Sequence, residues 1–248
     1  MLKAYAGGTV FGETYGDGPV RVIWLHGWAR SAADFREAGR LLASSNVASV
    51  ALDLPGFGSS PLPARAGGAR YYGELLDAVF AEISGEPFVL VGHSFGGRVA
   101  ICYAAQHPAR VHALVLSGTP LLRSSGRRAS WRFRLIRRLA HWNLLSETTL
   151  DRARERYGSA DYRAASGLLR EIFVATVNES YDEELRTWSG PTTLLWGEQD
   201  RDVPVAVAHQ VRELLRGPVT LQSLAGVGHL SVTESATALA DAVMAALS

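Results

Sequence analysis

The chain has 248 residues, of which 47% are hydrophobic and 20% are charged, and its formal net charge is +1. This composition excludes a disordered chain and a coiled coil, and the near-neutral balance gives no case for nucleic-acid binding. The length fits one α/β domain with a core large enough to surround a dry active site.

Membrane and redox signals are absent from the sequence. No apolar run approaches the roughly 18 residues that a membrane span needs, and the N-terminus lacks a signal-peptide pattern. We therefore expect a cytoplasmic protein without a transmembrane segment. The single cysteine, Cys102, excludes an internal disulfide and a zinc site built on cysteines, and its apolar neighbours predict a buried position.

Six buried-strand patterns recur along the chain, each a continuous apolar run that ends near glycine or a polar turn. They span residues 20–27, 47–56, 87–94, 111–118, 191–200 and 219–229. Helical patterns separate several of them, at 34–43, 71–83, 96–106 and 205–215. Continuous apolar runs suit strands covered on both faces, and alternation with helices indicates parallel βαβ units. The sequence therefore predicts an α/β fold with a doubly wound, mostly parallel sheet.

Two segments depart from this rhythm. The N-terminal residues 2–18 predict a short antiparallel pair, with Gly16–Asp17–Gly18 as a turn. From residue 122 to 187 arginine-rich helical sequence replaces the strands, and we expect it to form an inserted helical cap over the carboxyl ends of the strands. The predicted domains are an α/β core at 1–121 and 188–248 and a cap insertion at 122–187.

The stretch "VGHSFGG" contains the most informative motif. Gly92–His93–Ser94–Phe95–Gly96 fits the pattern G-x-S-x-G, with a strand pattern before it and a helix pattern after it. A sharp strand-to-helix turn exposes the serine hydroxyl above the sheet, and the helix N-terminus points amide groups at any anion that forms there. We predict that Ser94 is a nucleophile.

A serine hydroxyl needs a base, and His229 is the best of the seven histidines. It lies in "GVGHL", a glycine-rich loop beyond the last predicted strand. His26 is expected to bond loop backbone, and His93 adjoins the serine and is kept as a candidate substrate contact. The other histidines lie in helical or helix-flanking sequence and are expected at the surface: His107, His112, His141 and His209.

The base needs an acid, and "WGEQDRDVP" follows a predicted strand with several carboxylates. We favour Asp200, at the turn after the strand. Asp202 immediately precedes Val203–Pro204 and is either the alternative acid or a helix cap. Along the chain the serine comes first, then the acid, then the histidine, which is the order expected for an α/β fold with this serine motif.

An oxyanion hole would complete such a site. One donor is expected to be the backbone N–H of Phe95, the residue after the nucleophile, and the other to come from the loop "LHGWAR" after an earlier strand. Gly27 lets that loop turn, and the N–H of Trp28 is the natural donor. The alternative interpretation of Trp28 is a core aromatic residue.

Together these pieces resemble the α/β-hydrolase superfamily, in its serine-nucleophile esterase branch. The matching segments are "HGW" (26–28), "DLPGFGSS" (53–60), "GHSFGG" (92–97), "WGEQDRDVP" (196–204) and "GVGHL" (226–230). The first two segments are also similar to the bacterial biotin-pathway carboxylesterases that demethylate pimeloyl-acyl-carrier-protein methyl ester. The resemblance implies a triad of Ser94, Asp200 and His229 and oxyanion donors at Trp28 and Phe95, without a metal or other cofactor.

The leading function is therefore hydrolysis of small or medium carboxylic esters through an acyl-enzyme on Ser94. A carbon–carbon bond hydrolase of vinylogous diketones can use the same triad and remains an alternative. A non-catalytic, hydrolase-like ligand-binding module is the third interpretation.

The insertion carries most of the positive charge. Residues 121–170 hold twelve arginines and four acidic residues, a formal charge of +8, and the rest of the chain carries −7. A solvated face of amphipathic helices would explain this pattern. The alternative is an arginine patch that attracts an acidic carrier protein, a carboxylate-bearing substrate or an anionic membrane surface. Trp131, Arg132 and Arg138 are the candidate substrate contacts there.

Overall fold

The computed structural model describes residues 1–122 and 160–248. Within those ranges eight strands form a single sheet in the order β1-β2-β4-β3-β5-β6-β7-β8. They are β1 (Leu2–Tyr5), β2 (Val10–Tyr15), β3 (Val20–Leu25), β4 (Ala48–Asp53), β5 (Phe88–His93), β6 (Val111–Ser117), β7 (Thr192–Gly197) and β8 (Val219–Leu224). Among these strands β2 alone runs against the others, since it pairs antiparallel with both β1 and β4. The α/β fold with a mostly parallel sheet is confirmed.

Helices cover both faces of the sheet. They are α1 (Arg36–Ser44), α2 (Ala69–Ile83), α3 (Phe95–Gln106), α4 (Ala160–Ala164), α5 (Gly167–Asn178), α6 (Asp182–Thr187), α7 (Val205–Leu214), α8 (Ser231–Glu234) and α9 (Ala236–Ala246). The apolar sides of α2, α3 and α7 pack on one face of the sheet, and those of α1 and α9 pack on the other.

Alternation within the strands divides the core into two layers. On β3, Ile23 and Leu25 point to the layer under α2 and α3, whereas Val22 and Trp24 point to the layer under α1 and α9. All four side chains are buried. A strand apolar on both faces reads as a continuous run, which is why the buried strands were recognisable in the sequence.

The six predicted buried strands are present as β3 to β8, each shorter than its predicted run because the closing turn residues lie beyond the ladder. The predicted N-terminal antiparallel pair is also present, but its turn is not Gly16–Asp17–Gly18. A short 3₁₀ segment, Ala6–Gly8, joins β1 to β2, with φ of 67° at Gly7 and 88° at Gly8. Gly16–Asp17–Gly18 instead connects β2 to β3. These two strands are not neighbours, because β4 lies between them in the sheet.

The predicted cap insertion is described only in part. Residues 160–187 of it contain α4, α5 and α6, and the sheet resumes at β7, as the pattern indicated. Residues 123–159 lie outside the described ranges, so the cap boundaries stay a prediction. Within the described part of the chain, no helix combines the length and apolar character needed to cross a membrane.

Candidate active site

Ser94 lies at a strained turn between β5 and α3. Its backbone has φ 49° and ψ −107°, a conformation that non-glycine residues rarely adopt. The Ser94 N–H donates to the carbonyl oxygen of Ser117 at 2.9 Å, and the Gly96 N–H donates to that of His26 at 3.0 Å. These bonds anchor the turn to β6 and to the end of β3, so the half-buried Ser94 side chain is held at the carboxyl end of the central strands.

His229 reaches the serine from the loop after β8. Its Nε2 lies 3.3 Å from Ser94 Oγ, and its Nδ1 lies 2.7 Å from Asp200 Oδ2. Gly118 (φ 52°) lies against this pair, because a Cβ on it would be 3.1 Å from His229 Nδ1. On the other side of the loop, the Gly228 N–H donates to Glu234 Oε2 at 2.7 Å and fixes the residue before the imidazole.

The carboxylate beside His229 is that of Asp200, whose side chain is fully buried. Its Oδ1 accepts the backbone N–H groups of Asp202 and Val203, each at 2.8 Å, which leaves Oδ2 directed at the imidazole. Asp202 is exposed at its side chain and contributes its backbone to this turn. Of the two carboxylates that the sequence left open, the structure brings Asp200 to the histidine.

The pKa of His229 reflects opposing influences. Burial is the largest single influence and disfavours the charged imidazolium, but the hydrogen bond to Asp200 and the charges of Asp200, Asp202 and Asp161 together outweigh it. The pKa of His229 therefore lies above its ordinary value, and an imidazolium formed there is stabilised.

The two residues whose backbone amides are the expected oxyanion donors, Trp28 and Phe95, follow Gly27 and Ser94 directly in the chain. Phe95 is the first residue of α3, so its N–H has no partner within the helix, and Trp28 lies in the turn after β3. Among the described residues neither N–H donates to an acceptor. Gly27 lies against the end of β5, where a Cβ on it would be 3.1 Å from His93 Cδ2 and 3.4 Å from Ser94 Cβ.

Four aromatic rings form a cluster at this end of the sheet, which we call the aromatic wall: Trp28, Phe57, Phe95 and Phe173. The Trp28 ring centroid lies 5.0 Å from that of Phe57, 5.5 Å from that of Phe95 and 5.1 Å from that of Phe173. The contacts are edge-to-face, the arrangement that aromatic pairs prefer. Phe57 and Phe173 were not singled out from the sequence; "DLPGFG" marked the Phe57 loop, but nothing distinguishes Phe173 from other apolar residues of its helix.

The histidines of the two strand ends are structural. His26 accepts the Leu54 N–H at Nε2 (2.9 Å) and lies 2.7 Å from the Gly27 carbonyl oxygen at Nδ1, as expected for a histidine that bonds loop backbone. The prediction that His93 contacts substrate is wrong, because β5 turns its side chain inward. His93 is 1% exposed, its Nδ1 lies 3.1 Å from the Ser117 carbonyl oxygen, and burial next to His229 lowers its pKa to about 3.

Ser117 joins the nucleophile turn to the histidine loop, which the sequence did not indicate. Its carbonyl oxygen accepts the Ser94 N–H and the Thr119 hydroxyl as well as lying beside His93. Its buried hydroxyl lies 2.5 Å from that of Ser231, two residues after His229. This chain links two of the loops that carry the site.

The remaining predicted substrate contacts, Trp131, Arg132 and Arg138, lie outside the described residues. Two arginines of residues 121–170, which we call the basic segment, are described. Arg163 is exposed, and Arg170 donates to the Ala165 carbonyl oxygen at 2.9 Å and lies over the Tyr162 ring. Within the described ranges no group of three histidine, cysteine or acidic side chains could hold a metal ion.

Comparison with known proteins places this geometry in a family. Residues 22–242 match the model of the alpha/beta hydrolase family. A stretch of 103 residues is 41% identical to a pimeloyl-[acyl-carrier protein] methyl ester esterase of Aeromonas hydrophila subsp. hydrophila, covering 42% of this chain and 39% of that protein. A stretch of 111 residues is 38% identical to the protein of the same name from Chromobacterium violaceum, covering 44% of this chain and 41% of that one. The matches thus span about two fifths of the length of these curated relatives.

Among solved structures, a bacterial membrane phospholipase A described as a virulence factor superposes with a TM-score of 0.75. The two chains are 24% identical, and the match covers 100% of this chain and 84% of the other. At that identity the likeness establishes the shared fold.

Proposed function

This chain belongs to the alpha/beta hydrolase family, and from that membership we propose that it is a serine hydrolase that cleaves carboxylic esters through an acyl-enzyme on Ser94. One observation carries the proposal: an unbroken series of contacts runs from Ser94 Oγ through His229 to the buried Asp200 carboxylate. A binding module has no need of that series, whereas a serine nucleophile depends on it.

The proposed reaction starts with His229 as general base. Asp200 accepts the Nδ1–H, which leaves the Nε2 lone pair facing the serine hydroxyl. As Ser94 Oγ attacks the ester carbonyl carbon, its proton passes to Nε2, and the oxyanion is stabilised by the N–H groups of Trp28 and Phe95. The imidazolium then protonates the departing alcohol. A water molecule, activated by the same histidine, releases the acid and restores Ser94.

The acyl group would lie against the aromatic wall. The other three rings of the aromatic wall surround Trp28, which is half-buried and carries one proposed oxyanion donor on its backbone. Apolar surface next to a few directed polar groups is the usual composition of a small-molecule site. We therefore propose a substrate whose acyl portion is apolar near the ester.

The relatives suggest a more specific substrate. Two of them are named as esterases of pimeloyl-[acyl-carrier protein] methyl ester, although the matched stretch covers about two fifths of each. The net charge of +8 over residues 121–170 suits an acidic carrier protein or a carboxylate-bearing substrate. We propose a methyl ester of an acyl group linked to such a carrier as the substrate class.

Replacement of Ser94 by alanine tests the mechanism. We expect Ser94→Ala to lose hydrolysis of p-nitrophenyl butyrate by roughly 10⁶-fold, because the acyl-enzyme cannot form. A fluorophosphonate probe should label the wild type at Ser94 and leave the variant unlabelled. The matched control is Ser59→Ala, an exposed serine that follows the Phe57 loop, which should behave as wild type.

Wild-type-like turnover by a folded Ser94→Ala protein would refute the proposal. A folded wild type that resists the probe and hydrolyses no ester would instead favour the binding module. Cleavage of a vinylogous diketone without any esterase activity would favour the carbon–carbon bond hydrolase.

A further inference from the structure

Arg98 lies one turn into α3, just behind the nucleophile, and it is a partly buried cation. Its Nε donates to the Pro120 carbonyl oxygen at 3.1 Å, and its Nη1 makes a longer contact of 3.5 Å with that of Thr176. The guanidinium also lies 5.7 Å from the centre of the Tyr181 ring. Burial lowers its pKa, and within the described chain it forms no ion pair with a carboxylate.

Even partial burial of a guanidinium that bonds mainly to backbone oxygens costs desolvation free energy, so its position calls for a structural reason. The carbonyl oxygens of Pro120 and Thr176 belong to two separate segments of the chain. Pro120 follows β6 near the end of the first described range, and Thr176 lies in α5, in the second range. Arg98 therefore bonds the nucleophile helix to the chain on both sides of residues 123–159.

The contact with Thr176 fixes the C-terminal end of α5. Carbonyl groups in the last turn of a helix lack intrahelical partners and lie at the negative end of the helix dipole, so a cation is favoured there. The Tyr181 hydroxyl oxygen lies 3.2 Å from the same carbonyl oxygen and 3.0 Å from Glu179 Oε2, so it packs against this end of the helix. Arg98 and Tyr181 thus hold this end of α5 against α3.

One turn before Thr176, α5 carries Phe173 into the aromatic wall. Its ring centroid lies 5.1 Å from that of Trp28, and on its other side it faces Tyr162 at 6.4 Å. Phe173 and Thr176 lie within one turn of the same helix, so fixing the Thr176 carbonyl group also fixes the backbone that carries Phe173.

We propose that Arg98 is a positioning residue for acyl-group selectivity: by holding the Pro120 and Thr176 carbonyl oxygens it sets α5 so that Phe173 closes the aromatic wall beside Trp28. The inference rests on the proposed esterase function, since the acyl group is what the wall would contact. Arg98 itself touches neither the reacting atoms nor the substrate.

The test compares Arg98→Met, Arg98→Lys and Phe173→Ala on p-nitrophenyl acetate and p-nitrophenyl hexanoate. We expect Arg98→Met to lower the hexanoate-to-acetate ratio of kcat/KM by about tenfold, through a higher KM for hexanoate, with kcat on acetate within about twofold of wild type. Phe173→Ala should give a similar loss. The double variant Arg98→Met/Phe173→Ala should lower the ratio no further than Phe173→Ala alone, because both changes remove the same contact of Phe173 with the aromatic wall. Arg98→Lys can bond one of the two oxygens and should recover part of the ratio.

Arg110→Met is the matched control, because Arg110 lies just beyond the other end of α3 and donates to the Ser84 carbonyl oxygen at 2.9 Å. It should keep the wild-type ratio even where it lowers thermal stability. An Arg98→Met ratio equal to that of Arg110→Met, or fully additive losses in the double variant, would overturn the inference. If Arg98→Met does not fold, Arg98→Lys and Phe173→Ala decide by the same ratio. Absence of ester hydrolysis by the wild type would count against the proposed function instead.

Discussion

At the scale of single residues, His229 sits between influences that change its proton affinity in opposite directions. Burial favours the neutral imidazole, which is the form a general base needs, whereas Asp200 favours the imidazolium that the reaction creates. Burial is the largest single influence, but the hydrogen bond to Asp200 and the charges of Asp200, Asp202 and Asp161 together outweigh it, so the pKa of His229 is raised. Activity should therefore be lost as the pH falls through this raised pKa.

Asp200→Asn tests that balance. Removal of the carboxylate charge lowers the pKa of His229, so the acid limb of kcat/KM should move to lower pH. The plateau rate should fall by roughly 10⁴-fold, because an amide neither fixes the tautomer nor stabilises the imidazolium. The measurement is kcat/KM for p-nitrophenyl butyrate between about pH 5 and pH 9.

Asp202→Asn is the control for this experiment. Asp202 also favours the imidazolium, but its side chain is exposed and solvent screens its charge, so the limb should move much less. An acid limb that stays in place in Asp200→Asn would show that His229 does not govern the profile.

Residues with a local signature were predictable, and those without one were not. Ser94 and His229 sit in short glycine-rich motifs whose geometry follows from local backbone requirements. Phe173 reaches Trp28 only through the packing of α5, which no local pattern encodes. His93 was assigned to substrate because it adjoins the serine, but alternation at the end of β5 turns it inward.

At the scale of elements, the contact between α3 and β3 depends on the absence of a side chain at Gly96. A Cβ there would lie 2.1 Å from the Leu25 carbonyl oxygen and 2.7 Å from that of His26. Both are backbone atoms within the sheet and its first turn, and neither can rotate away. The nucleophile turn keeps its shape because α3 starts in direct backbone contact with β3.

Gly96→Ala should therefore destabilise the protein by about 3 kcal/mol, since α3 must move away from the sheet. Urea unfolding followed by circular dichroism measures the change. Gly85→Ala is the matched control, because a Cβ at Gly85 would meet nothing within 4 Å, and it should change the free energy of unfolding by less than about 0.5 kcal/mol. Equal stabilities for the two variants would contradict this account of the turn.

The elements themselves were predicted well where both faces of a strand are covered. β3 and β5 read as continuous apolar runs because each packs against helices on both sides. The N-terminal turn was assigned to the wrong place, since Gly7–Gly8 and Gly16–Gly18 are both plausible turns. The choice between them depends on the pairing of β2 with β4, a contact distant in sequence.

At the scale of the whole molecule, the formal charge is divided unequally along the chain. Residues 121–170 carry +8 and the remainder carries −7, so a net charge of +1 conceals a strongly polar distribution. Such a distribution attracts an acidic partner to one part of a protein and repels it from another. The attraction acts mainly on the rate of encounter, and salt screens it.

Because of this charge distribution, the salt dependence of kcat/KM should distinguish a carrier-linked substrate from a simple ester. We expect kcat/KM for a methyl ester carried on an acidic acyl-carrier protein to fall by about tenfold or more between low and physiological salt, because the Debye length shortens to about 8 Å. The uncharged p-nitrophenyl butyrate serves as the control, since its encounter with the enzyme involves no net charge and its kcat/KM should stay within about twofold. If the carrier-linked ester is hydrolysed with the same kcat/KM at both salt concentrations, the basic segment does not recruit the carrier. The arginines are then better explained as the solvated face of amphipathic helices, and the substrate would be a free small ester recognised at the aromatic wall alone.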